Sequence, residues 1–503
     1  MTVTPSRDAF LAYDGPESHA AVHVVLLADT ETPVSVYRKL AAGRRNSFLL
    51  ESASGGEVMG RYSFIGFDVE ERLSFSDGEA RIERGEEVTT VRFEDPLDLV
   101  RERLQGRSVW TPADLPRFFG GAVGYLGFDC VKYFEDLPLP SGAATGLPEG
   151  VLLFTDSVFV YDHFSRRLLL IVQAPLQGDR EASYAAAVDR LEVAVERLSE
   201  TRLPPEDTWL LDSRGSTAGG GELPRVVSNR TPEDMMAAVG RAQEAIEAGE
   251  VFQVVVSQRF TVEADVRPFT LYRALRALNP SPYLFYFEFG DFQVVGASPE
   301  VLVRLENEEL LVRPIAGTRP RGATREEDEA NERDLLRDEK ELAEHRMLVD
   351  LGRNDVGRVA AIGTVQVERP LHIERYSHVM HIVTDVRGRL REGLDCFDVF
   401  RAAFPAGTVS GAPKIRACEL LAELEPDRRG LYAGAVGYFG HGGSMDVCIA
   451  IRTLLVEGGR VHIQAGAGIV HDSVAASEHA ECRHKAGSGI AAVASALARA
   501  ERP

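Results

Sequence analysis

A long apolar run is missing from this chain. None of its 503 residues lies in a stretch of about eighteen consecutive apolar residues, the length a membrane-spanning helix needs. No membrane span is therefore expected. The opening "MTVTPSRDAFLAYDG" lacks a basic segment followed by an apolar one, so no secretory signal is expected either. A basic excess is also missing. Lys plus Arg number 56 against 77 Asp plus Glu, a net charge of −21. That argues against nucleic acid as a partner, since such binders carry a basic surface. It does not forbid an anionic substrate, because charge at a site can differ from the global sum. Cysteine is scarce. The five, Cys130, Cys396, Cys418, Cys448 and Cys482, form no CxxC pair and no recognisable nucleophile motif, and reduced thiols in a cytoplasm are the plain expectation. No short-period repeat is present.

What is present reads as two portions. Residues 202–224, rich in Pro, Gly, Ser and acids, form the best linker candidate. They divide an N-terminal portion, 1–201, from a C-terminal one, 225–503. In the first, "AVHVVLLAD", "SFLLES" and "RYSFIGFD" read as strands, and Asp77-Gly78 marks a hairpin. In the second, Thr231, Pro232 and Gly249 bracket a helix as cap, first turn and stop. A helix is expected around 326–352 and another from about 477 to 499. Strand hairpins interspersed with helices, without regular βαβ alternation, predict an α+β architecture on large, mainly antiparallel sheets.

Two acidic turns stand out. "DEKELAEHRMLVDLGRND" places Glu341 and Glu344 three apart on one helical face, with Asp338 a turn before. Like charges at that spacing repel. "SEHAECRHKA" repeats the arrangement with Glu478 and Glu481, followed by Lys485 four residues on. An E-x-x-E pair is usually a solvated helix face. Two such pairs facing each other would instead suit Mg²⁺, which takes hard oxygen ligands and keeps some water.

Longer strings carry a resemblance. "RPIAGTRPRG" (313–322), "AEHRMLVDLGRND" (343–355), "YSHVMHIVTDVRG" (376–388), "FPAGTVSGAPK" (404–414) and "QAGAGIV" (464–470) are similar to the chorismate-utilising enzyme family. "LLES" (49–52), "GRYSFIG" (60–66) and "NPSPYLFYF" (279–287) resemble its anthranilate-forming branch. The resemblance is dense over 225–495 and sparse before it. It implies a two-layer α/β sandwich with large antiparallel sheets, in agreement with the pattern above.

The resemblance also implies roles. Glu344 and Glu481 would contact Mg²⁺, with Glu341 and Glu478 in support, and Lys485 would balance the remaining charge. Arg452 and Tyr432 would bind the pyruvyl carboxylate, a planar guanidinium being suited to a carboxylate. Gly466 and Gly468 would let backbone NH groups approach a carboxylate. Glu300 would be the general acid for the departing hydroxyl, which requires a raised pKa. His381 would serve the proton transfer that accompanies pyruvate loss, with His378 structural. Thr408 would hydrogen-bond substrate, and Lys414 would be structural or electrostatic.

Two positions separate branches of the family. Where aminodeoxychorismate synthases carry a nucleophilic Lys, this chain has Ala316. Where isochorismate and salicylate synthases carry a water-activating Lys, it has Gln253. An amide is a poor base but can hydrogen-bond an amine, so ammonia is the expected nucleophile. No cysteine lies in a G-x-C-x-G context, so a separate glutamine amidotransferase subunit is expected to supply it. The resemblance thus implies formation of anthranilate and pyruvate from chorismate, the first step of tryptophan biosynthesis. Glu51, Ser52, Pro282 and Tyr283 would help form a tryptophan pocket for feedback inhibition. An amino-transferring relative that stops at an aminodeoxy intermediate is one alternative. A catalytically silent subunit that binds an aromatic amino acid is the other.

Overall fold

Two large sheets face each other, and helices coat their outer faces. The computed structural model describes residues 1–52, 60–142, 145–203, 224–376 and 379–500. Among these, one sheet has 13 strands and the other 12. Within these sheets the described strands pair antiparallel, except for a short parallel contact between His19–Leu27 and Val109–Trp110. The expected large, mainly antiparallel sheets are present. Phe48, Phe64, Phe285 and Phe287 of the first sheet meet Tyr125, Leu153 and Tyr438 of the second in a buried apolar layer. Alternation along each strand sends every second side chain into this layer.

Local signals place the elements. Asp77 and Gly78 both have positive φ, 48° and 78°, and join strands Glu71–Ser76 and Glu79–Arg84. Thr231 caps helix Pro232–Glu247 in a reciprocal capping box, and Gly249 turns the chain away at φ 80°. No described helix is long and apolar enough to cross a membrane. All five cysteines are buried and unpaired.

One expectation meets a different structure. The single helix around 326–352 is two helices, Arg325–Leu335 and Glu339–Val359. Asp338 is the reason. Its carboxylate accepts from the backbone N of Lys340 and Glu341 at 3.1 and 3.2 Å, which starts a new helix instead of extending the old one. Residues 204–223 of the linker candidate lie outside the described residues. The portions on either side of it share both sheets. Strand Ser47–Glu51 pairs with Tyr283–Glu288 in the first, and Gly121–Leu126 with Ala435–Gly440 in the second. The boundary divides the sequence and not the sheets.

Candidate active site

The site is built where the long strand Gln253–Glu263 lies between two partners. On one side it pairs with Arg460–Ile469, with Val255 opposite Gly468 and Ser257 opposite Gly466. On the other, Gln253 pairs with Ala412 at the end of the "PAGTVSGA" turn. Gln253 is buried. Its Nε2 donates to Glu344 Oε1 at 3.0 Å, while its Oε1 has no partner. A buried carbonyl oxygen left unpaired is costly, and a bound amine or water would satisfy it.

The cationic wall follows from the next strands. Arg452 has φ 52°, a left-handed conformation that L residues rarely adopt and that clusters at functional sites. Its Nη1 donates to Lys485 O at 2.6 Å. Lys485 Nζ donates to Gly466 O at 3.0 Å and pairs with Glu481 at 2.6 Å. A Cβ added to Gly466 would sit 2.8 Å from the Tyr432 hydroxyl, and one added to Gly468 would sit 2.7 Å from Gln253 Nε2. Both glycines therefore keep space clear at the wall. Burial pulls the Arg452 guanidinium down from its ordinary value, with Tyr432 and Glu481 opposing.

Near this wall stand the proton-bearing groups, Glu300 within reach of the Lys485 charge and His381 of the Arg452 charge. Burial pushes Glu300 up to about 7, against the Thr408 hydroxyl and the Lys485 charge, which lower it. Thr408 Oγ1 makes no hydrogen bond of ordinary geometry, so it faces Glu300 with bonding capacity to spare. His381 Nδ1 lies 2.9 Å from Gly317 O. Thr318 Oγ1 lies 3.1 Å from the same nitrogen; the carbonyl only accepts, which favours the proton on Nδ1 and a lone pair on Nε2. Burial holds the imidazole below its ordinary value, which favours its neutral form. Tyr376 packs edge-on against it, ring centroids 5.6 Å apart. Burial and the Glu374 carboxylate raise the Tyr376 phenol, with Glu300 a smaller contributor. Sequence reasoning passed over Tyr376, although it opens the quoted string at 376–388. His378 lies outside the described residues. Lys414 pairs with Asp355 at 2.9 Å and donates to Ala403 O, a structural contact.

The two acidic turns border the same region. Glu344 reaches Gln253, and Glu481 reaches Lys485. The Lys340 charge, beside Glu341, is felt at Glu478. Glu341 and Glu478 are both half-buried, and both are pushed above the ordinary carboxylate range, by burial first. Glu344 and Asp338 add to the effect at Glu341, as does Glu481 at Glu478. The expected convergence of four carboxylates is nevertheless not met. Among the described residues, no three of His, Cys, Asp and Glu come close enough to hold an ion by themselves. The reason is that other groups engage each turn. Arg319 bonds Asp338 at 2.7 Å and lies 3.6 Å from Glu341, while Lys485 holds Glu481. Hard oxygens under mutual repulsion still fit Mg²⁺, provided that water and substrate complete its shell.

A second, narrow pocket is lined by Glu51, Ser52, Pro282, Tyr283, Tyr438 and Asp446 among others. The structure brings the four predicted residues together, but with one difference. The Glu51 carboxylate is taken by Arg276, at 3.0 and 3.2 Å, and by the Tyr272 hydroxyl. Alternation turns that side chain to the helix Pro268–Leu278. Ser52 Oγ, the Tyr438 hydroxyl and Arg117 Nε are buried polar atoms without a hydrogen-bond partner in this pocket. A separate cleft of about 880 Å³, lined by Phe252, Met347, Leu351 and Ile415, lies behind helix Glu339–Val359.

A carboxyl raised by burial, a buried imidazole and the neighbouring Arg452 and Lys485 cations form a set suited to an anionic substrate. A family model described as chorismate binding enzyme matches residues 45–490. The chain is 50% identical over 472 residues to anthranilate synthase component 1 of Pseudomonas aeruginosa, covering 93% of this chain and 94% of that one. It is 46% identical over 468 residues to the protein of that name from Acetivibrio thermocellus, covering 92% and 93%. The crystal structure of anthranilate synthase component I from Streptococcus pneumoniae superposes with a TM-score of 0.75 at 36% identity, over 92% of this chain and 98% of that chain. The chain belongs to the chorismate-binding enzyme family.

Proposed function

We propose that this chain converts chorismate and ammonia to anthranilate and pyruvate, opening tryptophan biosynthesis. The observation that carries this reading is the presence at one site of a carboxyl raised to about 7, Glu300, and a buried imidazole, His381, whose Nδ1 meets Gly317 O. Chorismate is a dianion with a ring hydroxyl and an enolpyruvyl ether. Arg452, Tyr432 and the backbone at Gly466 and Gly468 hold its carboxylates. Glu300 gives its proton to the departing ring hydroxyl, which leaves as water while the ammonia nitrogen bonds to the ring. Gln253 Oε1 accepts a hydrogen from the incoming amine. His381 then takes a ring proton as the ether C–O bond breaks, so that the ring becomes aromatic and the side chain leaves as the enolate, which takes a proton at its methylene carbon to become pyruvate. Glu344 and Glu481, with Glu341 and Glu478 in support, would hold Mg²⁺, which would supply positive charge near the ring carboxylate.

Ala316 offers no nucleophile and Gln253 no base for water, which supports ammonia as the attacking group. We take its source to be a separate glutamine amidotransferase subunit, as the word "component" in the relatives' names supports. Five buried, unpaired thiols support the cytoplasm as its compartment. Tryptophan would occupy the second pocket, on Ser52, Tyr438 and the backbone around Glu51 and Pro282-Tyr283, and inhibit from there.

Purified chain incubated with chorismate, Mg²⁺ and concentrated ammonium will yield anthranilate fluorescence and an equal amount of pyruvate. A stable amino intermediate without pyruvate would replace this reading with a related transferase. Gly466→Ala will crowd Tyr432, since the new Cβ would sit 2.8 Å from its hydroxyl. The chorismate KM is expected to rise roughly tenfold or more, in the range that misplacing one binding group costs. An unchanged KM would remove Gly466 from the wall.

A further inference from the structure

A buried ion pair that takes no part in the reaction lies beneath the cationic wall. Glu425 and Arg429, one helical turn apart in sequence, are 6% and 2% exposed. Arg429 Nε and Nη2 each donate to the Glu425 carboxylate at 2.8 Å. A pair this deep contributes little net stability over packed apolar residues, because desolvation offsets the attraction. Its remaining bonds show where it acts.

Arg429 Nη1 donates to Val409 O at 2.7 Å, and Nη2 donates to Val255 O. Val409 follows Thr408 directly. Val255 lies two residues from Gln253 and opposite Gly468. The guanidinium carbon stands 5.5 Å from the centroid of the Tyr432 ring and 4.6 Å from that of Phe128. Glu425 Oε1 accepts from both N and Oγ of Ser257 at 2.7 Å. Ser257 lies opposite Gly466, and its Oγ accepts from Gln464 Nε2 at 2.9 Å. The pair therefore touches the segments that carry Thr408, Gln253, Tyr432 and, through Ser257, the two glycines.

We infer that the Glu425–Arg429 pair is the positioning device of the active site. It fixes the spacing of Thr408, Gln253, Tyr432 and the Gly466–Gly468 strand, and so sets the width of the slot for the substrate carboxylate. This rests on the chorismate reading above. The planar fork of arginine matters here, because one group must reach a carboxylate and two carbonyls in different directions. A lysine keeps the charge and loses that geometry.

The test uses the full chain with chorismate, Mg²⁺ and ammonium. Wild type must first form anthranilate; an inactive wild type overturns the functional reading and the inference with it. With active wild type, Arg429→Lys is expected to stay folded, as its cooperative melt will show. Its kcat/KM for chorismate should fall roughly 100-fold, the cost of displacing binding groups by about 1 Å. The larger share of that fall is expected in KM, and the KM for ammonium should move less. Ser257→Ala is the milder companion: its chorismate KM should rise several-fold with its melting midpoint little changed. Should Arg429→Lys fail to fold, Ser257→Ala decides alone. Folded variants with wild-type chorismate KM and kcat would overturn the inference and leave the pair a purely structural contact.

Discussion

Glu300→Gln will abolish turnover and, above pH 7, make the protein harder to unfold. Both effects come from one cause. The Glu300 carboxyl is 8% exposed, and burial raises it from 4.5 to about 7. Between those two values the folded protein holds a proton that the unfolded chain has released. Stability therefore falls as pH rises from 4.5 through 7, and above that the full cost of a buried carboxylate is present. A shift of this size corresponds to about 3 kcal/mol. Glutamine has the same shape and no proton to lose, so the variant escapes that fall. The gap between the two melting curves should open with rising pH and be small near pH 4.5. Turnover should drop by roughly 10²- to 10⁴-fold, the range for losing a general acid. Wild-type kcat, taken at constant free ammonia, should decline as pH rises through about 7. Parallel pH–stability curves, or near-normal turnover in the variant, would remove Glu300 from its role.

Glu344→Ala and Glu481→Ala will each abolish activity without unfolding the chain. The Glu481 side chain is 47% exposed, and its partner Lys485 39%. An ion pair this open contributes at most about 1 kcal/mol. Removing Glu344 costs one hydrogen bond from Gln253 and relieves repulsion on Glu341. Loss of the ion's grip on the ring carboxylate costs several kcal/mol of transition-state stabilisation, or about 10³-fold in rate. Circular dichroism melts should remain cooperative while anthranilate formation disappears. Activity near wild type in either variant would take that residue out of the site.

Much of the fold was legible where a local signal acts alone. Asp77-Gly78 and the Thr231–Gly249 bracket are examples, because a positive φ or a capping hydroxyl needs no distant partner. Distant pairing left no such trace. Nothing in "SFLLE" announces that it lies beside "YLFYFE", and that pairing is what merges the two halves of the chain into shared sheets. Asp338 was ambiguous for a physical reason: an acid before E-x-x-E reads equally as one more helical charge or as a cap. The candidate site residues were proposed from strings, and their surroundings left no trace there. Glu51 stood in the right string, yet its carboxylate meets Arg276, a partner 225 positions on. Arg429, in "PDRRGLY", carried no sequence signal, since its role exists only through three segments that the fold brings together.

The central claim is that the two acidic turns share a magnesium ion with bound chorismate. Calorimetric titration of Mg²⁺ into the chain, with and without chorismate, tests it most directly. Because the protein groups alone make an incomplete shell, Mg²⁺ should bind weakly by itself. It should bind at least about tenfold tighter with chorismate present, and chorismate should tighten by the same factor with Mg²⁺. Equal Mg²⁺ affinity in both titrations, or coupling that survives in both Glu344→Ala and Glu481→Ala, would contradict it.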